Sequence, residues 1–248
     1  MSYPRSRRRG MRSTRRSWAA WSLVMPIFMP PPYSRPLSDY PWTMNPHTLV
    51  TQLRSRAESG DSAAMLELAN RLHDETDLED EAMSWWRRAA EAGESEAAFN
   101  LGSMLEDDDP EAALAWYEQA ATAGHLEAKV NAGALLAEQG AFERATTWWD
   151  SAARDGDADA MYNLGQLADR EGRAEEAERW WLQAMRHGVE EALENLAAQC
   201  EDLHRAEDPR TAPLADLVLA TLAEVGLKAP PPIRRNLEQW AVPDTTLR

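Results

Sequence analysis

HLEAKVNAGALLAEQGAFERATTWWDSAARDG (residues 125–156) runs directly into DADAMYNLGQLADREGRAEEAERWWLQAMRHG (157–188), and the two blocks align position by position. Working outward, ESEAAFNLGSMLEDDDPEAALAWYEQAATAG (94–124) and DSAAMLELANRLHDETDLEDEAMSWWRRAAEAG (61–93) fall into the same register. The four units are 33, 31, 32 and 32 residues long, and each closes on a glycine: Gly93, Gly124, Gly156 and Gly188. Self-similarity at a fixed period near 32 residues is the signature of an array of small supersecondary units, none of which can bury its apolar face alone.

Each unit contains two helical patterns. In the first, small residues recur in register at Ala64, Ala97, Ala128, Ala160 and Ala192, and again at Ala69, Gly102, Gly133, Gly165 and Ala197. Small side chains at fixed helix positions let a second helix approach closely. In the second pattern Ala82, Trp85, Trp86 and Ala89 stand at i, i+3, i+4 and i+7, which makes one apolar stripe. Its equivalents are Ala113/Trp116/Tyr117/Ala120, Ala145/Trp148/Trp149/Ala152 and Ala177/Trp180/Trp181/Ala184. These aromatic pairs read as packing between repeats rather than as an exposed binding patch. The closing glycine suits the left-handed residue after a helix, and Pro110 suits the first turn of the helix that follows Asp107-Asp108-Asp109. The expected fold is all-α: a right-handed α-solenoid of helix-hairpin repeats, with a concave and a convex side.

The array has ragged ends. Residues 46–60 read as the second half of a degenerate repeat and residues 189–208 as the first half of another, giving a repeat domain over 45–208. Residues 212–226 read as a helix capping the last open face, residues 228–232 as a proline linker, and residues 233–241 as a short further helix or docking segment. Residues 1–44 stand apart, with eight Arg, one acid and many prolines. They read as a disordered basic tail, as a twin-arginine-like export signal around Arg15-Arg16, or as an extension ahead of a start at Met44.

Bulk composition narrows the functional classes. The formal charge is −16, yet residues 1–44 carry a net +7 and residues 61–188 a net −19. So acidic a repeat region repels phosphate backbones, which argues against nucleic acid and for basic partners. Cys200 is the one cysteine, so no intramolecular disulfide forms and the expected compartment is cytoplasmic, export being the alternative. No apolar run approaches the roughly 18–20 residues needed to cross a membrane.

The pattern A-x-x-W-[WY]-x-x-A-[AM]-x-x-G, preceded by A-x-[YF]-N-L-G, resembles the Sel-one-like repeat, a relative of the tetratricopeptide repeat. The residues carrying it in the second unit are Ala97, Phe99, Asn100, Leu101, Gly102, Ala113, Trp116, Tyr117, Ala120, Ala121 and Gly124. The turn between helices is shorter than in that family and closer to the tetratricopeptide pattern. The resemblance implies a scaffold that binds a protein or peptide in the concave groove.

One polar position recurs in the first helix: Asn100, Asn131, Asn163 and, in the last half-repeat, Asn195, with Glu67 in the first unit. In the tetratricopeptide family an asparagine here resembles the residue that grips a peptide backbone, and a carboxamide offers both a donor and an acceptor for that purpose. The competing reading is structural, each Asn bonding a neighbouring helix. The partner expected is a protein or peptide, basic in character. The alternative function is a structural or regulatory subunit assembling through the convex face or the termini. Catalytic groupings are lacking: Cys200 and His204 share a helix face at ligand spacing without a second pair, and Asp107-Asp108-Asp109 lacks a calcium loop's spacing. No enzyme activity, cofactor or metal is expected.

Overall fold

The computed structural model describes residues 46–74 and 78–241. The readings made above for residues 1–44 lie outside the described residues. Among the described residues there are twelve helices and no strand. They form two compact units, one ending at Asp109 and the other beginning at Pro110.

The first unit holds α1 (Pro46–Glu58), α2 (Ser62–His73), α3 (Glu79–Glu91) and α4 (Ser95–Leu105). Each helix packs on the next in the chain. The second unit holds α5 (Pro110–Thr122), α6 (Leu126–Glu138), α7 (Phe142–Arg154), α8 (Ala158–Arg170), α9 (Ala174–Arg186), α10 (Glu191–Arg205), α11 (Thr211–Val225) and α12 (Pro231–Trp240). There too neighbours in sequence are neighbours in space, and α11 lies against both α9 and α10. The chain is an all-α solenoid of helix-pair repeats.

The joint between repeats is short and over-determined. After α7, Gly156 adopts φ 92°, in the left-handed region that only glycine enters without strain. Its N–H donates to Ala153 O, and the Asp157 N–H donates back to Ala152 O, closing the helix by a Schellman motif. Asp157 then caps the next helix, its Oδ1 accepting from the Ala160 N–H at 2.7 Å. One residue therefore ends one helix and starts another. Asp61 does the same before α2, accepting from Ala64 at 3.0 Å, and His125 does so before α6 through Nδ1 at 3.3 Å.

The core is a layer of alanines and leucines closed by aromatic rings. Trp86, Tyr117, Trp149 and Trp181, the second members of the aromatic pairs, are all buried. Burying one such ring removes about 200 Å² from water, worth on the order of 5 kcal/mol before ordering costs. Trp149 lies over Gly133 and Trp181 over Gly165, the small position of the first helix in the same repeat. A Cβ on Gly133 would stand 2.4 Å from Trp149 Nε1, and one on Gly165 would stand 2.5 Å from Trp181 Cδ1. The glycines are thus seats for indole rings.

This divides the role expected for the tryptophans. The second aromatic of the pair packs inside its own hairpin, because its side of the helix faces the first helix. The first, half-buried in Trp116, Trp148 and Trp180, is turned elsewhere. Trp148 Nε1 donates to Glu118 of α5 at 3.2 Å, and Arg144 bonds the same carboxylate at 2.7 Å, so this member joins successive second helices.

The C-terminal end also differs in detail from the sequence reading. Pro231 and Pro232 are the first turn of α12, where a missing N–H costs nothing, and not part of a linker. Leu237 is fully buried, and Trp240 lies against His204 with ring centroids 5.2 Å apart.

Candidate functional site

The first helices of the second unit, α6, α8 and α10, each leave one stripe to solvent. On α6 it runs through Glu127, Asn131, Ala134 and Glu138; on α8 through Asp159, Tyr162 and Gln166; on α10 through Glu191, Asn195 and Ala198. The other faces of these helices are taken up by the core.

The four asparagines occupy unequal settings. In the first unit Asn100 is buried, and its Nδ2 donates to Asn70 Oδ1 at 3.2 Å. The same oxygen accepts from Trp86 Nε1 at 2.7 Å, so Asn70 ties together a core indole and the next repeat. In the second unit Asn195 Nδ2 donates to the Tyr162 hydroxyl at 3.2 Å, and Gln166 Nε2 donates to the same oxygen at 2.9 Å. Asn131 is half-buried and Asn163 is 7% exposed, and neither carboxamide has a hydrogen-bond partner among the described residues. Two of the four positions therefore link adjacent first helices, and two have unused donors and acceptors.

Sequence reasoning missed Asn70, Tyr162 and Gln166. A signal for Asn70 was available: a buried indole N–H needs an acceptor, and Asn70 is the amide one helix turn beyond the repeated position.

The electrostatics around this stripe are one-sided. Burial, followed by the nearby Asp159 and Glu127 carboxylates, raises the Asp157 carboxyl above its ordinary range, although the Ala160 N–H pulls the other way. Among the described residues Asp159 and Glu191 have no basic partner, and Glu127 has the His125 ring at 3.5 Å.

Away from the stripe two groups are chemically quiet. Burial pushes the Cys200 thiol up to about 12, so it stays protonated. His204, its neighbour at i+4, is exposed beside Trp240. Among the described residues no cluster of three or more His, Cys, Asp or Glu side chains could hold a metal ion. No helix among them is long and apolar enough to cross a membrane. Glu178, where the other units have Met83, Leu114 and Thr146, has Oε1 sealed from solvent without a partner, and burial raises its carboxyl.

A protective antigen of uropathogenic Escherichia coli with an SLR fold superimposes on 77% of this chain at a TM-score of 0.54 and 24% identity. The chain spans 48%, about half, of that protein's length. A Sel1 repeat protein from Oxalobacter formigenes matches 65% of the chain at a TM-score of 0.52 and 24% identity, over 73% of its own length. The fold is the Sel1-like repeat. No protein-family model matches the sequence, and no curated protein does. In Sel1-like terms, α2/α3, α6/α7 and α8/α9 are complete hairpins, and the recurring polar position falls on the first helix of each pair, as exposed Glu67, half-buried Asn131 and buried Asn163.

Proposed function

We propose that this Sel1-like chain is a protein-interaction scaffold, and that a peptide or protein segment lies across α6, α8 and α10 on their solvent stripe. The observation that carries the reading is Asn131 on that stripe and Asn163 buried next to Tyr162, one helix pair apart, whose carboxamides have no hydrogen-bond partner among the described residues. A carboxamide can pair with both the C=O and the N–H of an extended backbone, so the row would hold a segment whatever its side chains. The net −19 of residues 61–188 favours a basic segment. The reading is non-catalytic, supported by a thiol held at about 12 and by the scatter of the histidines.

The test is the double variant Asn131→Ala/Asn163→Ala, measured by fluorescence anisotropy against a library of basic peptides, with thermal melts alongside. Weakened binding at a nearly unchanged melting temperature is the expected result. Intact binding with a large fall in melting temperature would show that the asparagines serve the fold.

A further inference from the structure

Four side chains of α9, Glu175, Glu178, Leu182 and Arg186, stand at i, i+3, i+7 and i+11, one stripe of the helix. Its two end members reach the two ends of α11: Glu175 pairs with Arg210 at 3.5 Å, and Arg186 with Glu224 at 3.3 Å. The stretch between them therefore lies under α11, and Leu182 is buried there. Glu178 is the odd member, because its counterparts Met83, Leu114 and Thr146 carry no charge. Its Oε1 is sealed from solvent and has no hydrogen-bond partner among the described residues. A carboxylate oxygen in that setting gives up hydration and gains no bond in exchange.

The charged and titratable groups around Glu178 do not supply the missing bond. On α9 they are Glu175 and Arg179, on α10 Cys200, and at the start of α11 Asp208 and Arg210. Arg210 is engaged by Asp208 and Glu175. Burial, the largest influence, holds the Glu178 carboxyl above its ordinary range; the two arginines pull against it and the two carboxylates add to it. Lifting α11 returns Oε1 to water, so protonated Glu178 favours the docked helix and ionised Glu178 the lifted one. Docking is therefore strongest in acid and weakens as pH rises through the raised range. With α12, α11 ends the described chain, and terminal elements open locally below the free energy of global unfolding. We propose that Glu178 is a proton-controlled latch on the C-terminal cap: its ionisation loosens α11 from α9 and uncovers Leu182.

Hydrogen exchange of the full chain tests this, read by mass spectrometry from about pH 5 to 8 and corrected for the intrinsic pH dependence of amide exchange. A released α11, 15 residues long, does not hold its helix in water, so its amides report the lift; those of α6 are the reference. The opening equilibrium of α11 relative to α6 is expected to rise with pH, by up to about tenfold per unit for one proton, and then level off. In Glu178→Gln and Glu178→Leu it should stay at its low-pH value throughout; the second variant gives α9 the residue that α5 carries at Leu114. A pH-independent opening in the native chain would overturn the latch, as would the same rise in both variants. Equal protection of α11 and α6 at every pH would overturn it too, because the cap would then have no opening of its own. The slope is read on the native chain, so the outcome does not depend on how either variant folds.

Discussion

Gly133→Ala sets helix propensity directly against packing. In a helix interior, alanine for glycine gains up to about 1 kcal/mol in propensity alone. Here the added methyl would meet Trp149 Nε1 at 2.4 Å, Cδ1 at 2.6 Å and Cε2 at 2.9 Å, where ordinary carbon contacts lie near 3.5–4.0 Å. The ring or the helix must retreat by about 1 Å, and overpacking of this kind costs about 1–3 kcal/mol. Retreat also breaks the bond from Trp149 Nε1 to Val130 O, 3.2 Å long, worth about 1 kcal/mol. The net expectation is a loss of about 2 kcal/mol. Gly165→Ala makes the same clash at 2.5 Å, but Trp181 Nε1 has no partner to lose, so the loss should be smaller, about 1 kcal/mol. Urea unfolding followed by circular dichroism, with m-values compared, measures both. The first repeat points to a rescue. It carries Ala69 in this position, and there Trp86 Nε1 bonds the adjacent Asn70 instead of a backbone carbonyl. Gly133→Ala combined with Ala134→Asn should therefore recover part of the loss. If Gly133→Ala proves more stable than the parent by the propensity increment, the seat described for the indole is wrong.

Other consequences are simpler to measure. Cys200 is fully buried with its thiol near 12, so iodoacetamide should label it only at the rate of unfolding; rapid labelling of the native chain would contradict its burial. Burial raises the folded-state pKa of Glu178 above the ordinary 4.5, so the folded state holds this proton more tightly than the unfolded chain. Its cost is absent below pH 4.5, grows as pH rises through the raised value, and is complete above it. Glu178→Gln should then stabilise the protein at pH 7 by about 1 kcal/mol and flatten the pH dependence of melting, with no gain at pH 4. His125 caps α6 through a ring nitrogen at 3.3 Å where Asp157 caps α8 at 2.7 Å, so His125→Asn should raise stability by about 0.5 kcal/mol in the same melts. Asn100→Ala, which strips a buried partner from Asn70, should cost about 1–2 kcal/mol, whereas Asn131→Ala should cost little.

The repeat was readable because its signals are local and recur: a glycine that must turn left-handed, a capping residue one position later, an aromatic pair at i and i+1. The helix-pair architecture follows from those alone. What escaped depended on contacts between segments distant in the chain. Trp85 and Trp86 look interchangeable in sequence, and so do Trp148 and Trp149. Only the facing of each helix decides which ring enters its own hairpin and which meets the repeat before it. Asn100 looks equivalent to Asn131, but its burial is bound up with Asn70, an amide 30 positions earlier where the repeat of Asn131 has Ala134. Pro231 and Pro232 carry the same local signal as a linker or as a helix start, and the docking of Leu237 settles the choice in favour of a helix.

The joint at Asp155-Gly156-Asp157 bears on how such a chain can change its length over generations. Between α1 and α2, α3 and α4, α5 and α6, and α7 and α8 there are three residues each time. At the joints before α2, α6 and α8 one residue ends a helix, one turns left-handed and one caps the next helix through its side chain, so a residue lost there loses a bond. Glu94 before α4 makes no such cap, and the α9–α10 joint has four residues. Within the pairs the intervals are five, four, three and three residues. Insertions and deletions are therefore least tolerable at the three side-chain-capped joints, and the intervals inside the hairpins are where the lengths vary most. A hairpin copied from joint to joint would splice into the array in frame, whereas one cut anywhere else would not.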